Sequence, residues 1–165
     1  MKLMIKQKVF SWRDRFNVYD QDMAVRYQVS GEIFTIGKKL HVEDGYGHEV
    51  AFIHEKVLTF LPKYYISQNG QDVAEVKKEF TFFKPVYSIP AFGWTVKGSI
   101  MEHNYSIFGP GGQIVAEIHK QWLAWGDTYI IDVMQGSDEL MVLCTVLIID
   151  AVMASQAAAA SSASN

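Results

Sequence analysis

The chain has 165 residues, 49% hydrophobic and 20% charged, with a net charge of -3. That length and balance fit one globular domain with a substantial core. The charge gives no reason to expect nucleic acid as a partner, and a single cysteine, Cys144, excludes an internal disulfide.

The opening MKLMIKQKVF alternates weakly and predicts a first strand over 4–10. Lys2, Lys6, Gln7 and Lys8 interrupt any signal-peptide core, so the expectation is a soluble, cytoplasmic protein whose only membrane association is peripheral. Arg15–Tyr19 alternates cleanly, and Asp20-Gln21-Asp22 reads as a turn. Strands follow over 23–29 and 33–42, the second long enough for Gly37 to kink or bulge it. Asp44-Gly45 marks a hairpin before a strand over 50–54. Leu58–Leu61 is apolar up to the break at Pro62. Further strands are expected over 64–68, 73–80, 86–89, 94–97, 105–108, 114–122 and 129–133, with turns at Asn69-Gly70 and Gly109-Pro110-Gly111-Gly112.

The last element differs in kind. Between Glu139 and Asp150 every residue is apolar except Cys144 and Thr145, which predicts a helix over 138–156, capped by Ser137, with Asp138 and Glu139 in its first turn. A helix apolar on all sides is enclosed by protein. Its apolar run over 140–149 is too short for the roughly 20 residues of a bilayer span, so no transmembrane segment is expected. The tail 157–165 (AAAASSASN) reads as low complexity, either disordered or a fraying extension of the helix.

The strands carry an internal echo. Segments around Ala51, Ala74 and Ala116, and a looser one around Ala24, each run strand, turn, then V-A-x-[IV] or a near match. Hairpins are marginal alone and must share a sheet. About a dozen short strands would close or split rather than stay flat. If they close, the apolar helix is the one candidate to fill the lumen.

The stretches 5–20 (IKQKVFSWRDRFNVYD), 30–44 (SGEIFTIGKKLHVED), 61–66, 73–89 (VAEVKKEFTFFKPVYSI), 125–133 and 138–150 (DELMVLCTVLIID) resemble the YxjI-like members of the LURP-one-related family, within the tubby C-terminal-like superfamily. The resemblance implies a mainly β fold, a twelve-stranded antiparallel closed barrel with a hydrophobic C-terminal helix threaded through it. It implies no enzymatic activity. Tubby proteins bind phosphoinositides and the related scramblases act at membranes, so the functional expectation is a binding or scaffold module for phospholipid head groups or a protein partner.

Candidate sites are sparse. Lys2, Lys6, Lys8, Arg13 and Arg15, interleaved with Phe10 and Trp12, form the one basic group suited to a head-group or partner contact; the competing reading is an edge strand blocked by lysines. His41, His48, His54, His103 and His119 lack metal-site spacing, and no metal or cofactor is expected. His54 and His119 match Lys77 and Tyr27 in the echo, which places that position on an outward face. Cys144 sits among apolar neighbours and reads as core rather than nucleophile. Two alternatives remain: an enzyme using Asp127, Asp132, Asp138, Glu139 and Asp150 near the helix entrance, and a carrier of a small apolar ligand in the barrel. Asp150, in the apolar helix, requires a hydrogen-bonding or basic partner.

Overall fold

The computed structural model describes residues 1–6, 15–124 and 126–164. Twelve strands form a closed barrel: β1 Lys2–Lys6, β2 Phe16–Asp20, β3 Val25–Gly31, β4 Lys39–Asp44, β5 Glu49–Glu55, β6 Lys63–Gln68, β7 Gln71–Lys78, β8 Tyr87–Ile89, β9 Trp94–Ser99, β10 Asn104–Phe108, β11 Ile114–Leu123 and β12 Gly126–Val133. A single helix, α1, spans Glu139–Ala163. Each strand pairs antiparallel with its neighbours in sequence, and β1 closes the ring against β12 from Lys2↔Asp132 to Lys6↔Thr128.

Alternation decides which side chains face the lumen. Val18, Val29, Val42, Ile53, Ile66, Val76, Ile89, Val96, Ile107, Ile118 and Ile131 are buried. Eight strands leave an interior that side chains alone can fill; twelve leave more, and the space must be occupied. Helix α1 occupies it. Every residue from Met141 to Val152 is buried, so the lumen holds a packed helix where an apolar ligand would have to sit. Cys144 is buried there, and burial pushes its thiol up, away from the reactive thiolate.

Four details differ from the sequence expectation. The cap of α1 is Asp138, whose side chain accepts from the Met141 backbone N–H at 3.1 Å, in place of Ser137. The helix continues through the Ala-rich tail to Ala163, and is therefore long and apolar enough to cross a bilayer, but 72% of its most apolar stretch lies inside the barrel. No strand begins at Ile33: Phe34 (φ 63°) and Gly37 (φ 76°) are left-handed, the chain turns, and β4 starts at Lys39. A Cβ on Gly37 would meet Val57 Cγ1 at 2.8 Å, so the turn needs glycine twice over. Finally, Tyr27 faces inward and is buried, unlike His54, because it opposes Val18 as Ala51 opposes Val42: it takes the place of the repeat's buried alanine, three residues on from Ala24.

The echo has a structural counterpart. All four copies are hairpins with a register shift beside the turn, at Val18/Tyr19, Val42/Glu43, Ile66/Ser67 and Ile107/Phe108. In two of them an aspartate closes the turn in the same way. Asp20 Oδ1 accepts from the N–H groups of Asp22 and Ala24, and Asp44 Oδ1 from those of Tyr46 and His48.

Candidate functional site

In an up-and-down barrel every second connection emerges at the same end. Residues 21–24, 45–48, 69–70, 90–93 and 109–113 lie at one end, with the start of α1. All but 90–93 are the tight turns of the echo, and those four are mostly polar. Among the described residues the opposite end carries Arg15, 32–38, 56–62, 79–86, 100–103 and 124, together with the exit of α1. Several of its connections are longer, and we call it the wide end.

The two ends differ in charge. Asp20, Asp22, Glu43, Asp44, Glu49, Asp72, Asp138 and Glu139 gather at the narrow end, with Lys2 and Arg26 as its cations. Glu139 is tied down there, accepting from Arg26 Nε at 3.0 Å and the Tyr27 hydroxyl at 2.8 Å. Lys6, Arg15, Lys38, Lys39, Lys56, Lys63, Lys77, Lys78 and Lys84 lie on the loops or strand ends of the wide end, against Glu32, Glu55, Glu79, Glu102 and Asp127. Among the described residues, Lys56, Lys78 and Lys84 have no ion-pair partner. The helix dipole runs the opposite way, with its positive pole at the acidic end and its negative pole at the basic one, so each pole meets charges that complement it.

The ends differ in polarity too. Ile33, Phe34 and Ile36 stand on the β3–β4 loop, Val57, Leu58 and Phe60 on β5–β6, and Phe80, Phe82 and Phe83 on β7–β8; all are exposed, with Phe34, Leu58 and Phe83 at 101%, 103% and 97%. The β5–β6 and β7–β8 loops meet in a shallow hollow lined by Phe60, Leu61, Lys78, Phe80, Phe83 and Pro85. Phe34 and Leu58 also hold positive φ, 63° and 61°. For bulky residues this conformation costs about 1–2 kcal/mol each.

Just inside the wide end lies a buried polar cluster. Both Asp150 carboxylate oxygens are buried without a hydrogen-bond partner, as is the Tyr105 hydroxyl. His103 Nδ1 is 3.5 Å from Asp150 Oδ1, beyond ordinary hydrogen-bond length. The other His103 nitrogen, Nε2, lies 2.6 Å from the Tyr129 hydroxyl. His103 itself has a left-handed backbone, φ 52°. Lys38 Nζ donates to the Ala151 carbonyl at 3.4 Å, which ties the β3–β4 loop to the helix exit. Burial pushes the Asp150 carboxyl above the usual carboxylate range, against the opposing pull of His103. Burial, then the nearby Asp150, pushes the Tyr105 hydroxyl up. The basic group nearest Asp150 is thus a histidine from the β9–β10 turn, at ion-pair rather than hydrogen-bond distance.

The predicted site residues are split. Lys6 and Arg15 stand at the wide end. Lys2 stands at the narrow end, 3.7 Å from Asp132. Lys8, Arg13, Phe10 and Trp12 lie outside the described residues. The carboxylates of the enzymatic alternative do not converge. Asp127 pairs with Lys120 at 3.0 Å, Asp132 with Lys2, and Glu139 with Arg26. The helical rise separates Glu139 from Asp150 by roughly 16 Å along α1. Each histidine sits beside a carboxylate: His41 beside Glu32 and Glu49, His48 beside Asp44, His54 beside Asp72, His103 beside Asp150 and His119 beside Asp132. Among the described residues none gathers the three ligands a metal ion needs. Sequence reading missed the exposed loop tips and His103. Phe82-Phe83 before Pro85 and Leu58–Leu61 before Pro62, apolar runs stopped by proline, were the available signal for the tips.

A closed twelve-stranded antiparallel barrel plugged by its own C-terminal helix defines the class. The chain belongs to the LURP-one-related family, whose profile matches residues 1–150. It is 32% identical over 153 residues to the uncharacterized protein YxjI of Bacillus subtilis (strain 168), covering 93% of this chain and 94% of that one. It is also similar in fold to an X-ray structure of a protein from Arabidopsis thaliana, with a TM-score of 0.67, 19% identity, and 92% and 90% of the two chains covered.

Proposed function

We propose that the protein is a non-enzymatic binding module that docks on anionic phospholipid head groups through the wide end of the barrel. The observation that carries this reading is the segregation of charge along the barrel axis. Lysines surround one end and carboxylates the other, so the molecule approaches a negative surface with a defined orientation despite its net charge of -3. The filled lumen and the dispersed carboxylates support a role on the outside of the barrel.

The test is co-sedimentation with phosphatidylcholine–phosphatidylserine vesicles at low salt. Binding is expected, and reversing Lys6, Arg15, Lys56 and Lys84 to glutamate lowers it by about a hundredfold or more, given roughly 1 kcal/mol per basic residue near such a surface. Lys2→Glu, at the other end, leaves it unchanged. Binding that is absent, or indifferent to the four reversals, refutes the reading.

A further inference from the structure

We infer that the wide end penetrates the bilayer it meets: Phe34, Ile36, Leu58, Phe60, Phe82 and Phe83 are insertion tips that enter the acyl region while the surrounding lysines stay at head-group level. This rests on the phospholipid reading and goes further, because a purely electrostatic contact needs no apolar side chains.

Three observations carry it. First, these residues occur on three separate loops that the up-and-down topology brings to one end. Exposed apolar residues scattered singly, as Met23 and Tyr46 are at the narrow end, need no explanation, but this concentration on the loops of one end does. Second, the tips at 101%, 103% and 97% exposure pack against nothing, not even one another. A protein partner would have to offer a separate matched pocket for each splayed tip, whereas fluid hydrocarbon adapts to any arrangement. Third, Phe34 and Leu58 hold left-handed backbone, a conformation that glycine adopts freely and bulky side chains resist. The fold thus retains a strained loop and an exposed apolar side chain at the same two positions, although glycine there would relieve both.

The chemistry of the rim matches an interface. Lys56 and Lys84 sit on the same loops as the tips, with aliphatic stems long enough to keep their ammonium groups in water as the tips descend. The end of α1 leaves the barrel among the loops, and residues 151–164 carry no charged side chain.

The experiment compares wild type with Phe34→Gly/Leu58→Gly in flotation with phosphatidylcholine–phosphatidylserine vesicles, at low salt and at about 1 M salt, where screening leaves a Debye length of about 3 Å. Thermal unfolding is recorded alongside. The expected result is that wild type keeps part of its binding at high salt and the variant loses that part, by about tenfold or more given the apolar area removed. The variant is expected to melt no lower than wild type, since it sheds backbone strain, so lost binding is not lost folding. If wild-type binding vanishes at high salt and the variant matches wild type at low salt, insertion is overturned while head-group docking stands. If neither protein binds at any salt, both readings fall. If the tips instead drive a concentration-dependent dimer of wild type that the variant abolishes, without vesicle binding, a second copy is the occupant and insertion is overturned.

Discussion

Removal of residues 138–165 is expected to leave no soluble, cooperatively folded barrel. The deleted helix supplies the inner wall against which the inward-facing valines and isoleucines of the strands pack. Burying one large aliphatic side chain contributes about 1.5–3 kcal/mol, and Val142, Leu143, Val146, Leu147, Ile148 and Ile149 are each at most 1% exposed. Domain stabilities are about 5–15 kcal/mol, so losing the set exceeds what a fold of this size holds in reserve. A milder form of the same test is Leu147→Ala, expected to cost about 2–5 kcal/mol by cavity formation. Chemical denaturation of the full-length variants and far-UV circular dichroism of any soluble truncation check both. A truncated chain that stays soluble and unfolds in one sharp transition contradicts the plug.

Asp150→Asn is expected to stabilise the protein near neutral pH and above, by about 1–3 kcal/mol. The carboxyl is buried without a hydrogen-bond partner, and its folded pKa is raised above the unfolded one, chiefly by desolvation. Between those two values the folded state binds more protons than the unfolded state, so stability falls as pH rises through that window. The favourable protonated form is fully present below the unfolded value, about 3.9, and is lost as pH passes the folded one. Asparagine has the same shape and cannot ionise. Its advantage is therefore largest at alkaline pH and vanishes as pH approaches about 4. Facing Asp150 are His103 from the β9–β10 turn, Tyr105 from β10 and Tyr87 from β8, with Tyr129 from β12 behind His103. Urea denaturation of both proteins across pH reads the difference. A variant less stable than wild type at alkaline pH would mean that Asp150 and His103 form a net stabilising ion pair.

The architecture was legible because its signals are local. Strand alternation survives around the ring, Asn69-Gly70 and Asp44-Gly45 mark real turns, and the all-apolar face of α1 has no place except inside. What was not legible depends on contacts through space or on phase. Ile33 to Ile36 alternates like a strand, yet Gly37 packs against Val57 on another loop and the chain turns there. Tyr27 faces inward because strand pairing, not sequence similarity, sets the repeat's phase: it opposes Val18 as Ala51 opposes Val42, three residues on from Ala24. His103 and Asp150 meet only because β10 and the end of α1 share one mouth of the barrel. The exposed tips were hidden for a different reason: in sequence, Phe34, Leu58 and Phe83 are indistinguishable from core residues, and only the closed barrel reveals that they have nothing to pack against. The basic group does not stay together: Lys6 and Arg15 stand at the wide end, but Lys2 lies a strand length away, because β1 runs from one end to the other.

If the wide end is the contact face, hydrogen–deuterium exchange at short labelling times, with and without phosphatidylcholine–phosphatidylserine vesicles, shows protection concentrated in 32–38, 56–62 and 79–86, with 21–24, 45–48 and 69–70 unchanged. Protection at the narrow-end turns, or an unchanged pattern at vesicle concentrations that sediment the protein, would contradict it.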